Sequence, residues 1–335
     1  MSKYAVVVTT INAPTGPVRS IAEDCNRLDA EFILIGDDKS PRDFHQPGAT
    51  YLDVAAQRAT GFRYAVEAPT RHYARKNVGY LVAIRNGADV LIETDDDNFP
   101  RADFWETRQR VIRAQSVSGT DWVNAYGYFS STDIWPRGLP LDKVLSPLPQ
   151  LDQARDVTCP IQQGLADDNP DVDAIYRFIR PLPIQFESRE PIALTGAWCP
   201  FNSQNTTFFK EAFPLLYLPF YCSFRMTDIW RSFVAQRIAF ANNWGILFHG
   251  ATVYQERNAH DLMRDFADEV PGYLHNQAIK TALMELEIAP GTHSIPDGMR
   301  SCYQKLCGMG LIGDKELQLL DAWLSDLRKL EAGNA

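Results

Sequence analysis

The chain has 335 residues, of which 45% are hydrophobic and 22% charged, and this composition excludes a disordered chain. Its length predicts two domains, or one large α/β domain with an appended segment. The formal net charge of −9 argues against nucleic acid as a partner and against docking on an anionic membrane by bulk charge.

The first hundred residues predict a largely parallel α/β sheet. Apolar runs at residues 4–9, 31–35, 50–54 and 88–93 alternate with helical stretches, as in sheets whose strands are joined by helices. Between the third and fourth runs, apolar residues at helical spacing predict a helix over residues 73–87.

The rest of the chain predicts loops followed by helices. Residues 135–191 are rich in Pro and Asp and predict long loops with one short helix. A helical pattern resumes over 225–241, and 315–330 predicts an amphipathic helix whose apolar stripe packs in the core or against a second subunit. The six cysteines contain no C-x-x-C pair, which indicates buried thiols and excludes the usual zinc-site spacing.

The sequence contains no pattern of a membrane span or a signal peptide. No apolar run approaches the ~18 residues that a membrane-spanning helix needs. The first predicted strand begins within a few residues of Met1, which leaves no room there for a signal peptide. We therefore expect a cytoplasmic protein without a membrane span.

The strongest chemical signal is the acidic run that follows the fourth predicted strand. In an extended segment alternate side chains face the same way, so Asp95 and Asp97 can converge on one cation while Asp96 faces elsewhere. Carboxylate oxygens suit Mg²⁺ or Mn²⁺, which can bridge two phosphates of a nucleoside diphosphate. The alternative is an acidic surface turn, but the position after a buried strand favours a metal site.

Polar residues also follow the first two strands. Asp37 ends the second strand, where a carboxylate can accept hydrogen bonds from a ribose hydroxyl or a base N–H. Thr9 and Asn12 end the first strand and could line the same pocket. For both segments a simple turn is the competing interpretation.

Cations at the start of the helix over 73–87 form a third candidate group. Arg75 and Lys76 oppose the helix dipole there, so acidic partners explain their position better than helix stability does. The acidic strand ends or a sugar diphosphate could be those partners. A solvated helix face is the alternative.

Three further residues complete the list of candidates. Asp228 could be a general base that deprotonates an acceptor hydroxyl, or a helix-capping residue. His249 could complete a metal shell, although a lone His is often structural. Arg257 could bind phosphate and is followed by a second histidine, His260.

Six motifs together resemble the STELLO-type glycosyltransferase-like family of plants and its microbial relatives, over roughly residues 4–270. The motifs are T-T-I-N-x-P-T (9–15), G-D-x-K-x-P (36–41), Y-A-R-K-N-x-G-Y (73–80), E-T-D-D-D-N (93–98), D-I-W-R (228–231) and Q-x-R-N-x-H (255–260). The resemblance implies a GT-A-like α/β fold, in which a Rossmann-like nucleotide-binding sheet flanked by helices carries a D-x-D metal motif.

The resemblance also implies roles for the candidate residues. Asp95 and Asp97 would hold Mn²⁺ or Mg²⁺ against the diphosphate of a UDP-linked sugar donor, and Asp37 would lie by the uracil or ribose. By analogy of fold, Asp228 would be the catalytic carboxylate of an inverting enzyme and His249 a late metal ligand. A retaining mechanism would need no such base.

We therefore expect a metal-dependent glycosyltransferase acting on a glycan or another hydroxyl acceptor. Residues 1–270 would form the GT-A-like domain, with a nucleotide-sugar half over about 1–130 and an acceptor half over about 131–270, and 271–335 a helical extension. Trp198, Asn202 and Asn205 could contact an acceptor sugar. The alternatives are a nucleotide-sugar mutase or nucleotidyltransferase, or a non-catalytic module that binds a nucleotide or a partner.

Overall fold

A single mixed β-sheet organises the computed structural model, which describes residues 2–256 and 261–333. The sheet has eleven strands in this part of the chain. They are β1 (Tyr4–Thr9), β2 (Glu31–Ile35), β3 (Thr50–Leu52), β4 (Val90–Thr94), β5 (Asn98–Pro100), β6 (Val111–Val117), β7 (Asp152–Thr158), β8 (Ile161–Asp167), β9 (Ile192–Leu194), β10 (Asn205–Phe209) and β11 (Ile246–Gln255).

The sheet is parallel in one half and mixed in the other. Its strand order is β3-β2-β1-β4-β10-β8-β11-β9-β6-β7, with β5 paired to β11 outside this path. The first four strands are parallel, whereas β10 runs antiparallel to both β4 and β8. The parallel half predicted from the first hundred residues is therefore observed, and the antiparallel β10 joins it to a mixed second half.

Helices cover both faces of the parallel half. The helices of the described residues are α1 (Gly16–Leu28), α2 (Val54–Ala59), α3 (Arg63–Glu67), α4 (Lys76–Arg85), α5 (Ala174–Ile179), α6 (Thr227–Ala241), α7 (Leu262–Met284), α8 (Ile295–Gly308) and α9 (Glu316–Gly333). Because alternate residues of a strand point to opposite faces, Ala5 and Val7 join the larger core with α4, α6, α8 and α9, while Val6 and Val8 join a smaller core with α1. The predicted α/β class, a Rossmann-like sheet flanked by helices with a C-terminal helical extension, is confirmed.

The prediction of loops for residues 135–191 was wrong in part, because β7 and β8 lie within this segment. β8 is a central strand, yet its sequence IQQGLAD has no apolar alternation. Its polar side chains are buried and hydrogen-bonded: the Gln162 amide donates to the Gln109 and Cys159 carbonyls, and the Gln163 amide donates to the Asn205 carbonyl. Partners that only the fold supplies make such a strand stable in the core.

The C-terminal helices pack on the core of the parallel half. The predicted boundary at residue 270 falls inside α7, which runs without a break from Leu262 to Met284. The predicted stripe on the last helix is buried against this core, including Leu320 and Trp323 of α9. The carboxylate of Glu316, fully buried at the start of α9, accepts hydrogen bonds from the Tyr217 hydroxyl and from the Phe220 and Tyr221 N–H groups. The extension therefore stabilises the chain segment that precedes α6.

Glu316 should make stability depend on pH. Burial raises the pKa of its carboxyl from 4.5 to about 6. Between those values the folded protein holds a proton that the unfolded chain has lost, so stability falls as the pH rises through this window, by up to about 2 kcal/mol. We expect Glu316→Gln to remove this contribution, so that the difference in unfolding free energy from wild type changes between pH 4.5 and 7 in urea titrations. The exposed Asp314 gives the control, since Asp314→Asn should show no such change.

The remaining predictions about the whole chain concern membranes and thiols. Across residues 2–256 and 261–333, no helix has both the length and the apolar character needed to cross a membrane. All six cysteines are free thiols, and five of them are buried, as predicted.

Candidate functional site

A groove with a volume of about 790 Å³ lies along the edge of the sheet where β2, β1 and β4 end. Because these strands are parallel, their carboxyl ends bring Asp37, Thr10 and the acidic run 95–97 to the same edge, and all of these residues line the groove. Open α/β sheets bind their ligands at this edge. The groove is thus the candidate site.

The three aspartates lie in a tight turn between β4 and β5, not in the extended segment that was predicted. The Asp96 carboxylate nevertheless faces away from its neighbours, accepting hydrogen bonds from the Thr10 hydroxyl at 2.6 Å and from the Asn12 amide at 3.0 Å. Asn12 therefore orders the acidic turn. This contact differs from the predicted one with a nucleotide.

Lys76 lies beneath Asp95. Its buried ammonium donates to the Thr94 carbonyl at 2.9 Å and to the Asp95 carboxylate at 3.0 Å. Burial, together with the nearby Asp97, raises the pKa of Asp95 to about 7 despite this cation. Lys76 thus pairs with the acidic cluster, the first of the two partners predicted for it, and partly neutralises a carboxylate that has anionic neighbours.

Asp97 faces the end of β11. Its carboxylate accepts a hydrogen bond from the Gln255 amide at 3.0 Å, and its carbonyl accepts one from the Glu256 N–H. Within residues 2–256 and 261–333, no three His, Cys, Asp or Glu side chains converge into a preformed metal cage. The two carboxylates Asp95 and Asp97 instead fit an ion such as Mg²⁺ or Mn²⁺ that takes its other ligands from water and substrate phosphates.

A buried ion pair connects this cluster to α6. Arg231 lies 2.7 Å from the Glu93 carboxylate, and both side chains are almost completely buried. The Tyr80 hydroxyl also donates to Glu93. Residues from three of the sequence motifs thus meet in the core directly below the acidic turn, where they fix the end of β4 relative to α4 and α6.

The opposite end of the groove is formed by the end of β2. The Asp37 carboxylate accepts hydrogen bonds from the Asp38 N–H at 2.7 Å and the His72 N–H at 2.9 Å. Thr9 lies at the end of β1 and lines the same end. Both predicted nucleoside contacts are therefore in the groove, and Asp37 additionally holds the segment that leads into α4.

Arg75 does not have the environment predicted for it. Its side chain is buried, and its guanidinium donates to the Gln57 side chain and to the Ala65 and Ala68 carbonyls. These protein acceptors satisfy the cation, so we no longer assign it to a diphosphate. Its position beside Lys76 in the sequence was misleading because consecutive helical residues face different sides.

Asp228 lines the groove but forms a buried ion-pair network. Its carboxylate accepts hydrogen bonds from the Arg137 guanidinium at 3.0 Å, the Tyr73 hydroxyl at 3.2 Å and the Ser203 N–H at 3.1 Å. Burial alone would raise its pKa, but the Arg137 charge outweighs burial and holds the pKa at about 2. A general base works best with a pKa near the operating pH, so the environment argues against the predicted role of Asp228.

Arg137 is the centre of this network. Its guanidinium donates to both carboxylate oxygens of Asp171, at 2.8 and 2.7 Å, and to the Arg225 carbonyl as well as to Asp228. Arg137, Asp171, Ser203 and Arg225 all line the groove. Sequence analysis assigned none of them a role, because they lie in loops, or next to a motif, with no informative spacing.

The structure contradicts the prediction that His249 is a metal ligand. β11 is irregular between His249 and Val253, so the six residues from His249 to Gln255 advance only about four positions along β8, which places His249 roughly 13 Å from the residue that contacts Asp97. It lies opposite Gly164 of β8, and burial lowers its pKa to about 3. Position after an apolar run could not tell the middle of a long strand from its end. Arg257 and His260 lie outside the described residues.

The predicted acceptor contacts are also buried in the core. Trp198, Asn202 and Asn205 are at most 4% exposed. The Asn202 amide donates to the Tyr126 hydroxyl, and the Asn205 amide donates to Thr252 and to the Leu165 carbonyl. These residues support the strands behind the groove.

Three helices begin at the groove. The segments that open α4, α6 and α7 contribute Tyr73, Asp228 and Asp261 to its lining. The end of α7 is already capped, because the Asp261 carboxylate accepts from the Met263 and Arg264 N–H groups, and Asp228 places another carboxylate in the first turn of α6. These carboxylates offset the partial positive charge of the helix ends, so the ends do not form an anion site by themselves.

Comparison with known proteins gives the family context of these motifs. A family profile described as "STELLO glycosyltransferases" matches residues 225–333. Two Arabidopsis thaliana proteins are similar to the chain, one described as "Probable glycosyltransferase STELLO1" at 26% identity and the other as "Probable glycosyltransferase STELLO2" at 27%. Each match covers 96% of this chain and 44% of the plant protein, so the chain spans less than half the length of these curated relatives.

A solved structure shows a weaker similarity to this chain. Crystalline glucosyl-3-phosphoglycerate synthase of M. tuberculosis has a TM-score of 0.44 and 14% sequence identity to this chain, covering 82% of this chain and 80% of that one. The predicted STELLO-type resemblance is confirmed by the sequence matches, which extend into the C-terminal segment left unmatched by the motifs.

Proposed function

We propose that this chain, which is similar to the two STELLO proteins over nearly its whole length, is a metal-dependent glycosyltransferase of the GT-A type. It would transfer a sugar from a UDP-linked donor to a hydroxyl group of a glycan or another acceptor. The observation that carries the proposal is the acidic turn 95–97, which the parallel strands bring to the groove beside Asp37 and Thr9.

The donor would lie along the strand ends. Asp37 and Thr9 would contact the nucleoside, with Asp37 accepting from a ribose hydroxyl or a base N–H. The groove volume of about 790 Å³ is adequate for such a ligand.

Asp95 and Asp97 would hold Mn²⁺ or Mg²⁺ against the diphosphate. When bound, such an ion supplies Lewis-acid stabilisation of the departing nucleoside diphosphate. Lys76 orients the Asp95 carboxylate through its 3.0 Å hydrogen bond, and the Gln255 amide orients Asp97. Glu93 and Arg231 fix the turn that carries both aspartates.

On the acceptor side, Asp228 would hold other groups in place and would not accept a proton. Asp228 is charged at neutral pH and is a poor proton acceptor because Arg137 holds its pKa at about 2. We propose that it orders Arg137 and the Ser203 N–H, which line the groove beside the acidic turn.

Calorimetric titration of UDP tests the proposal. We expect UDP to bind in the presence of Mn²⁺ and to lose most of its affinity in EDTA, and we expect slow release of UDP from one or more UDP-sugars when no acceptor is present. GDP and CMP in the same buffer serve as controls for the base. If the folded protein binds none of these nucleotides with Mn²⁺ present, the transferase proposal fails and a partner-binding module becomes the better interpretation.

A further inference from the structure

Two large apolar side chains remain exposed inside the groove, within the described part of the chain. Ile11 follows β1 at the nucleoside end and is 49% exposed, and Phe224 precedes α6 and is 47% exposed. An exposed aromatic ring in an otherwise polar groove loses the free energy of burial unless a ligand covers it. Phe224 therefore needs an explanation that the donor contacts do not give.

The Phe224 ring is held in place although half of it is exposed. It contacts the Tyr73 ring edge-on, with centroids 5.0 Å apart, and the His72 ring at 4.9 Å. The Tyr73 hydroxyl donates to the Phe224 carbonyl at 3.3 Å and to Asp228 at 3.2 Å. The exposed part of the ring is thus a pre-organised apolar surface, which binds a ligand with little loss of conformational entropy.

This surface lies between two polar parts of the groove. It contacts the ring of His72, whose N–H donates to Asp37 at 2.9 Å, and the ring of Tyr73, whose hydroxyl donates to Asp228 at 3.2 Å. Phe224 is therefore between the predicted nucleoside contact at Asp37 and the Arg137 network around Asp228.

The polar residues around the ring indicate the chemistry of the ligand. Arg264 and Asp268 of α7 line the same groove and are not part of the Arg137 network, so they offer a guanidinium donor and a carboxylate acceptor. A pyranose ring has an apolar face of C–H groups surrounded by hydroxyls, so it can stack on an aromatic ring while its hydroxyls bond to a polar rim. A purely apolar ligand would displace water from these charged groups without replacing its hydrogen bonds.

We propose that Phe224 is the stacking platform for a pyranose ring, supplied by the donor sugar or by a glycan acceptor. The inference rests on the proposed function and adds to it the subsite that holds the sugar. It requires no chemical step at Phe224, which positions the sugar ring in the groove.

The test compares Phe224→Ala with Phe178→Ala, because Phe178 is also 47% exposed but lies on α5 outside the groove. Calorimetry in the presence of Mn²⁺ measures the affinity for UDP, UDP-glucose, UDP-galactose and UDP-N-acetylglucosamine. Saturation-transfer NMR on the UDP-loaded protein detects the binding of methyl glucoside, methyl galactoside and cellobiose. UDP affinity should stay within about twofold in both variants, because the proposal assigns the ring to the sugar and not to the nucleobase.

For Phe224→Ala we expect a roughly tenfold loss of sugar affinity, with no loss for Phe178→Ala. Loss of the UDP-sugar preference over UDP would identify the donor sugar as the occupant, and loss of the glycoside signal would identify the acceptor. Phe224→Tyr keeps an aromatic face and should retain sugar binding, which separates stacking from a folding defect.

Two results would overturn the inference: wild-type protein that binds UDP but contacts none of these sugars, or Phe224→Ala that binds them as wild type does. Failure of UDP itself to bind would instead contradict the proposed function.

Discussion

Asp97→Asn should reduce the affinity for UDP in Mn²⁺ to the value measured in EDTA. The substitution removes one of two carboxylates that would hold the ion, and the amide cannot replace its charge. We expect a loss of at least about 100-fold, since mutation of outer-shell partners of metal ligands already costs about 10–100-fold. Calorimetric titration with and without Mn²⁺ measures the change.

Asp96→Asn is the matched control in the same turn. Its carboxylate accepts from Thr10 and Asn12, so the variant should keep most of the metal-dependent affinity. Asp95→Asn should behave as Asp97→Asn does, but it also leaves the buried Lys76 ammonium without its carboxylate partner, so its thermal midpoint must be measured in parallel. Wild-type affinity in Asp97→Asn would rule out this aspartate as a metal ligand.

Arg137→Met should unfold at markedly lower urea concentration than the wild type. The guanidinium bonds to two carboxylates, Asp171 and Asp228, and the side chains of all three residues are at most 10% exposed. Removing the cation leaves the buried Asp228 without its ion-pair partner and leaves Asp171 with only the Arg225 guanidinium, 4.0 Å away. Breaking a buried pair of this kind costs about 3–5 kcal/mol. The unfolding free energy from urea titration measures this loss.

Arg180→Met provides the comparison with an exposed pair. Arg180 lies 2.8 Å from Asp133, and both side chains are largely exposed, so the loss should stay below about 1 kcal/mol. Replacing Asp171 and Asp228 by Asn in the Arg137→Met background should recover part of the stability, because the uncompensated charges are then gone. A loss below about 1 kcal/mol for Arg137→Met would contradict the buried network.

The parallel half of the fold could be predicted because its signals are local. β1 and β2 are short apolar runs that end at polar turns, and the observed strands have the predicted bounds. The last helix was predicted from its apolar stripe and is observed as α9. β8 could not be predicted, since the stability of IQQGLAD as a central strand depends on partners far away in sequence.

The sequence by itself determined which residues end the parallel strands, and therefore that Asp37, Asp95 and Asp97 share one edge of the sheet. Strand patterns and the right-handed parallel arrangement are sufficient for that inference. The tertiary structure alone decided the rest of the groove. It brought Arg137, Asp171 and Ser203 to Asp228, buried the Arg75 guanidinium, and placed His249 in the middle of β11. These positions depend on contacts between distant segments, whose pairing no local pattern encodes.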